Sequence, residues 1–141
     1  KMKKQLFLLL SLCCLTACQD DPLNQAPQIV VPSALLAERQ AQQAGEHLFV
    51  RHCRECHGTA SEGRVRRTSS FKPPAPDFYA HKYATINPAY LFWRIRDGKS
   101  VEPFFSEGSV MPVFGPHFSD KQIWQLVAYL RSRASSPENS N

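Results

Sequence analysis

Apolar positions recur at helical spacing in three parts of the chain. Ala41, Ala44, Gly45 and Leu48 fall at i, i+3, i+4 and i+7, and Ser33 suits an N-cap. Together they predict a first helix from residue 33 to about His52. Asn87-Pro88 is a cap followed by proline at the first helical position, and Gly98 is a stop. A short second helix is expected between them. Ser119 and Gln122 have capping-box spacing, and Ile123, Leu126, Val127 and Leu130 form the stripe of a closing helix. Residues 58–86 and 99–118 hold Gly, Pro and Ser with no sustained period and read as loops. The fold class expected is all-α, with three main helices and long intervening loops.

The N-terminal segment follows a different pattern. Lys1, Lys3 and Lys4 precede an apolar run of ten residues, Leu6 to Leu15. That run is too short to span a bilayer and has the layout of a secretory signal. It ends in Leu15-Thr16-Ala17-Cys18, which resembles the lipobox of bacterial lipoproteins. Residues 1–17 are therefore read as a removed signal peptide, with Cys18 as the lipidated N-terminus; the alternative is an ordinary signal peptide with an incidental Cys18. Residues 18–33, rich in proline, read as a tether. Its 14 residues from Gln19 to Pro32 would reach roughly 20 Å as a flexible coil. The folded domain is expected over 34–133, and 134–141 reads as a disordered tail. These expectations place the protein on the periplasmic side of a bacterial membrane, held there by lipid.

Charge changes meaning once the signal is set aside. The whole chain has 17 basic and 12 acidic residues, a net charge of +5. Without residues 1–17 the balance is 14 against 12. A nucleic-acid partner loses most of its support. What remains is a local cluster, Arg64, Arg66, Arg67 and Lys72, which suits either a solvated loop or the steering of an acidic partner protein.

Cysteine usage narrows the chemistry. Of five cysteines, Cys13 and Cys14 lie in the signal and Cys18 takes lipid, so only Cys53 and Cys56 remain. They form Cys53-x-x-Cys56-His57. A thioredoxin-like dithiol would sit in a βαβ pattern, which is missing here. Structural zinc needs four ligands at close spacing, and His81 and His117 stand far apart with no second cysteine pair. Covalent haem needs two thiols from one short turn and an imidazole directly after them. The motif has those parts and no others. A haem would also supply the core that three helices in a 141-residue chain lack, and give the long loops something to wrap.

A sixth iron ligand follows by elimination. Met2 leaves with the signal, so Met111, beside Pro112 and 54 residues beyond His57, is the one methionine left. A thioether is a soft ligand that suits haem iron. His81, His117 or an open position are the alternatives, and His47 and His52 read as surface residues.

These features resemble those of single-haem class I bacterial cytochromes c over roughly residues 40–132. Gly45-x-x-x-Phe49 resembles the family's N-terminal helix and Leu126-x-x-Tyr129 its C-terminal helix, which cross closely. Pro73-Pro74-Ala75-Pro76-Asp77-Phe78 resembles the loop under the proximal histidine. The resemblance implies that the Pro76 carbonyl accepts the His57 Nδ1 hydrogen bond and that Met111 is the distal ligand. Phe78 departs from the pattern, standing where an aliphatic residue is common. Trp93, Phe104, Phe105 and Phe114 are expected either to line the haem pocket or to pack in the core without specific function.

What the resemblance implies about function is outer-sphere electron transfer, with haem c cycling between Fe(III) and Fe(II) and no enzymatic turnover of its own. The partners implied are a redox donor and acceptor. The proline loop and the F-W-R-I-R-D-G helix also resemble small haem subunits of quinol-oxidising or terminal-oxidase assemblies, so shuttle and respiratory-complex subunit both stay open. The competing class is a haem enzyme or gas sensor with a free or labile sixth position.

Overall fold

The structure is a computed structural model describing residues 27–59, 68, 70–100, 102 and 104–135. Among these residues there is no strand, and helices come in the order α1 (Ser33–Ala37), α2 (Arg39–His52), α3 (Arg54–His57), α4 (Lys82–Thr85), α5 (Pro88–Asp97) and α6 (Asp120–Ala134). The fold is a small all-α one in which α2, α5 and α6 carry the packing.

Helix α6 lies at the centre. Ser119 Oγ accepts from the Gln122 N–H at 3.3 Å, and Gln122 Oε1 accepts from the Ser119 N–H at 2.9 Å. Two of the helix's otherwise unpaired donors are satisfied this way. Nine of its side chains are buried, Ile123, Leu126, Val127 and Leu130 among them. Trp124 stacks on Phe92 of α5 at 4.4 Å between ring centroids.

Helix α2 makes the broadest contact with α6. Its buried positions are Ala41, Gly45 and Phe49, so Phe49 is its main anchor, with Ala44 and Leu48 at the half-buried margin. A Cβ at Gly45 would overlap the Gln125 carbonyl oxygen and stand 2.9 Å from Tyr129 Cβ. Glycine is required there by proximity, which offsets the roughly 0.5–1 kcal/mol it costs a helix relative to alanine.

The first predicted helix is two. Glu38 adopts an extended conformation (φ −71°, ψ 123°) and separates α1 from α2. Ser33 is the first residue of α1 rather than its cap, since Pro32 holds that place and no side chain caps it. Part of the predicted tether also belongs to the domain. Ile29 and Val31 pack against the core along with Leu35 and Leu36, although Val30 between them is 90% exposed. The stretch read as loop over 58–86 contains α4, one turn with Tyr83 buried.

Helix α5 follows its sequence signals. Asn87 Oδ1 accepts from the Ala89 N–H at 2.9 Å, Pro88 opens the helix, and Gly98 closes it at φ +66°. Gly98 also lets another segment approach. A Cβ there would lie 2.7 Å from the Pro112 carbonyl oxygen and 2.9 Å from that of Met111.

Candidate functional site

The Cys53–His57 turn begins where α2 ends. Cys53 caps α2, donating its N–H to the Phe49 carbonyl at 2.8 Å. The Cys56 and His57 N–H groups then fold back to the Cys53 carbonyl at 3.1 and 3.0 Å. A single turn thus presents two thiols and an imidazole to one cleft. That cleft opens to solvent, with about 970 Å³ of space between its walls and mouth. Phe49, Phe71, Phe78, Ile95, Leu126 and Leu130 make its walls largely apolar.

His57 is fixed in one tautomer. Its Nδ1 lies 3.2 Å from the Pro76 carbonyl oxygen. A carbonyl only accepts, so Nδ1–H donates and Nε2 keeps its lone pair. Burial lowers the imidazole's pKa, the Pro76 hydrogen bond opposes this, and the charges of Arg133 and Lys99 lower it further. The neutral ring suits metal ligation. Phe78, 4.7 Å away between centroids, and Phe49 at 6.4 Å flank it.

Both cysteines are free. Burial, with a contribution from neighbouring Cys56, pushes the Cys53 thiol up to about 12. Redox dithiols work in the opposite direction, with a thiol pKa pulled below its usual value. Among the described residues no three His, Cys, Asp or Glu side chains are grouped to hold a metal ion. The cleft lining holds two thiols, the imidazole of His57, the thioether of Met111 and a second, exposed imidazole, His52; two thiols, an imidazole and a thioether are the set a covalently attached haem uses.

The thioether is Met111, half-buried and lining the same cleft as His57. Its segment runs back along the end of α5. The Met111 carbonyl accepts from the Lys99 N–H at 3.1 Å, while Phe114 and Gly115 donate to the Ile95 and Arg96 carbonyls at 3.3 and 2.8 Å. Those two carbonyls are helix-terminal acceptors in need of partners. The requirement that ends α5 thus holds the Met111 loop in place.

Several expected positions differ. Of Trp93, Phe104, Phe105 and Phe114, only Phe114 lines the cleft. Phe105 is 64% exposed, and Trp93 and Phe104 pack on Arg94 instead. The other aromatic walls are Phe49, Phe71 and Phe78, of which Phe49 and Phe78 stand in segments that resemble the family's. His47, His81 and His117 are exposed; His52 is exposed too, but lines the cleft and meets Phe118 edge-on at 5.1 Å. Lys72 is exposed, whereas Cys18, Arg64, Arg66 and Arg67 lie outside the described residues.

Arg94 is the functional candidate that the pattern reading missed. It is 4% exposed, and none of its guanidinium nitrogens has a hydrogen-bond partner among the described residues. Its guanidinium lies 3.2 Å over Trp93 and 5.0 Å from the Phe104 centroid. Lys99, which lines the cleft, sits 4.6 Å from the same Phe104 ring. Burial lowers the pKa of both cations. A buried cation with unmet donors is costly unless an anion joins it; Arg94 is not itself in the cleft lining and shares the Phe104 ring with Lys99, which is. A signal was present: Arg94 shares the helical face of Leu91 and Ile95, where a charge is out of place.

Comparison with known proteins gave one match. The model of a protein family described as "Cytochrome C oxidase, cbb3-type, subunit III" matches residues 40–130. No curated protein and no solved structure matches the chain.

Proposed function

Because the chain belongs to the cbb3-type cytochrome c oxidase subunit III family, whose domain is a haem-bearing cytochrome c, we propose that its cleft holds one haem c and that the protein is an electron carrier. The observation behind this is the convergence of Cys53, Cys56, His57 and Met111 on one apolar cleft. When bound, the haem supplies one-electron exchange between Fe(III) and Fe(II).

The chain's own residues have distinct tasks. Cys53 and Cys56 would attach the porphyrin. His57 Nε2 and the Met111 sulfur would hold its iron. The Pro76 carbonyl holds Nδ1–H and fixes the ring that Nε2 belongs to. Lys99 would face the haem carboxylates from the cleft wall, with Arg94 behind it at the same Phe104 ring. The aromatic walls exclude water and limit rearrangement when charge changes.

A redox protein donor and acceptor are the partners, within a respiratory complex or as a shuttle between complexes; nucleic acid is not among them. Lipid on Cys18 would hold the domain on the periplasmic side of a bacterial membrane, each buried CH₂ contributing about 0.8 kcal/mol. No helix among the described residues is long and apolar enough to cross a membrane. Intact mass of the denatured protein, expressed with haem-attachment machinery, tests the proposal. One haem should be retained, and Cys53→Ala with Cys56→Ala should abolish its retention. Loss of all haem on denaturation of the unsubstituted chain would refute covalent attachment.

A further inference from the structure

Arg133 sits near the end of α6, yet its side chain reaches the far end of the Cys53–His57 turn. It is 4% exposed. Its two terminal nitrogens donate to the Gly58 carbonyl at 3.3 Å and the Thr59 carbonyl at 2.8 Å. Gly58 is the residue directly after His57. The guanidinium also lies 4.1 Å over Tyr79 and 5.1 Å from the Phe49 centroid, and Phe49 itself flanks His57. A forked, always-charged group is therefore held against the exit of the ligand-bearing turn, in surroundings of low polarity where fields act over longer distances.

We propose that Arg133 is a positioning residue that ties α6 to the proximal ligand turn and, through its fixed positive charge, biases the iron site toward Fe(II). This rests on the haem reading above. One electron from a donor converts Fe(III) to Fe(II) and lowers the charge of the site by one, so a nearby cation favours the product. A hydrogen-bonded clamp alone would add stability without changing the equilibrium between oxidation states. The fixed charge distinguishes the two roles.

The test is the midpoint potential of the haem-loaded full chain, compared across Arg133→Lys and Arg133→Gln. Lysine retains the charge but loses the fork, and glutamine retains a donor but loses the charge. At a fixed ambient potential, Arg133→Gln should move the Fe(II):Fe(III) ratio toward ferric by roughly three- to tenfold, tenfold being about 59 mV for one electron. Arg133→Lys should stay near the unsubstituted ratio. Equal ratios in all three proteins would overturn the electrostatic role and leave a clamp. Should Arg133→Gln fail to accumulate, Arg133→Met gives the same test: it removes the charge at similar volume and should move the ratio toward ferric by a similar factor, and an unchanged ratio would overturn the proposal. Absence of haem from the unsubstituted chain would refute the parent reading, a result distinct from either of these.

Discussion

Gly45 and Gln125 are in contact where α2 crosses α6: a methyl group at residue 45 would overlap the Gln125 carbonyl oxygen. Cys53 caps the same α2 eight residues later. The crossing therefore fixes where the cysteine turn is delivered. Gly45→Ala gains helix propensity of up to about 1 kcal/mol, but a backbone carbonyl cannot move aside as a side-chain end would. Overpacking of this kind costs about 1–3 kcal/mol, and separation of the helices would add to it. A lower urea midpoint, with net destabilisation, is the expected result. An unchanged or raised midpoint would show that the crossing is looser than described.

Ser119→Ala removes the hydroxyl half of the capping box on α6 and should cost about 1 kcal/mol. Ser119 is exposed and lies outside the cleft lining. Denaturation should register the loss while the optical spectrum of the haem-loaded protein stays the same.

Arg94→Met tests whether the buried guanidinium serves the cofactor. In the haem-loaded protein the substitution should cost about 1.5–3 kcal/mol, as expected for hydrogen bonds to charged groups, because the haem carboxylates would lose their partner. A gain in stability would show that Arg94 has no anion opposite it, since replacing an unpaired buried cation by an apolar side chain is favourable.

Asp97 provides an acid-dependent contribution. Arg96 donates to both its carboxylate oxygens, at 2.8 and 3.2 Å, and this holds the Asp97 pKa below its usual value. A depressed carboxylate stabilises the fold above its unfolded pKa, and the contribution disappears as pH falls through the folded value. The pair is partly exposed, so screening limits it to about 0.2–1 kcal/mol. Asp97→Asn should lose that amount at pH 7, and the difference should vanish in strong acid. A difference independent of pH would assign the effect to packing.

Regular elements were legible where a terminus carried its own chemistry. Asn87-Pro88 with Gly98 place both ends of α5, and Ser119 with Gln122 the start of α6, where they are observed. Ser33 misled because a capping residue type signals only where the backbone leaves its N–H groups open to it, and Pro32 already stands at that position. The break at Glu38 and the single-turn α4 leave too little periodicity to detect. For the site, Cys53, Cys56, His57 and Met111 stand out in the sequence because thiols, imidazole and thioether are chemically distinctive, and the fold brings all four to one cleft. The cleft walls do not stand out: Phe104 and Phe105 lie in a loop, and loop aromatics point where tertiary packing sends them. Arg133 was hidden for a similar reason. Its partners are backbone carbonyls 74 and 75 residues away, and carbonyls leave no mark in a sequence.

The most direct test of the account is the optical spectrum of the oxidised and reduced haem-loaded protein beside Met111→Ala, each exposed to carbon monoxide. With His57 and Met111 both on iron, the unsubstituted protein should be low-spin, show the weak long-wavelength band of Met-ligated ferric haem, and ignore carbon monoxide, while Met111→Ala should lose the band and bind the gas. A high-spin spectrum that shifts with carbon monoxide in the unsubstituted protein would contradict the account, and would assign the cleft to an enzyme or gas sensor with an open iron position.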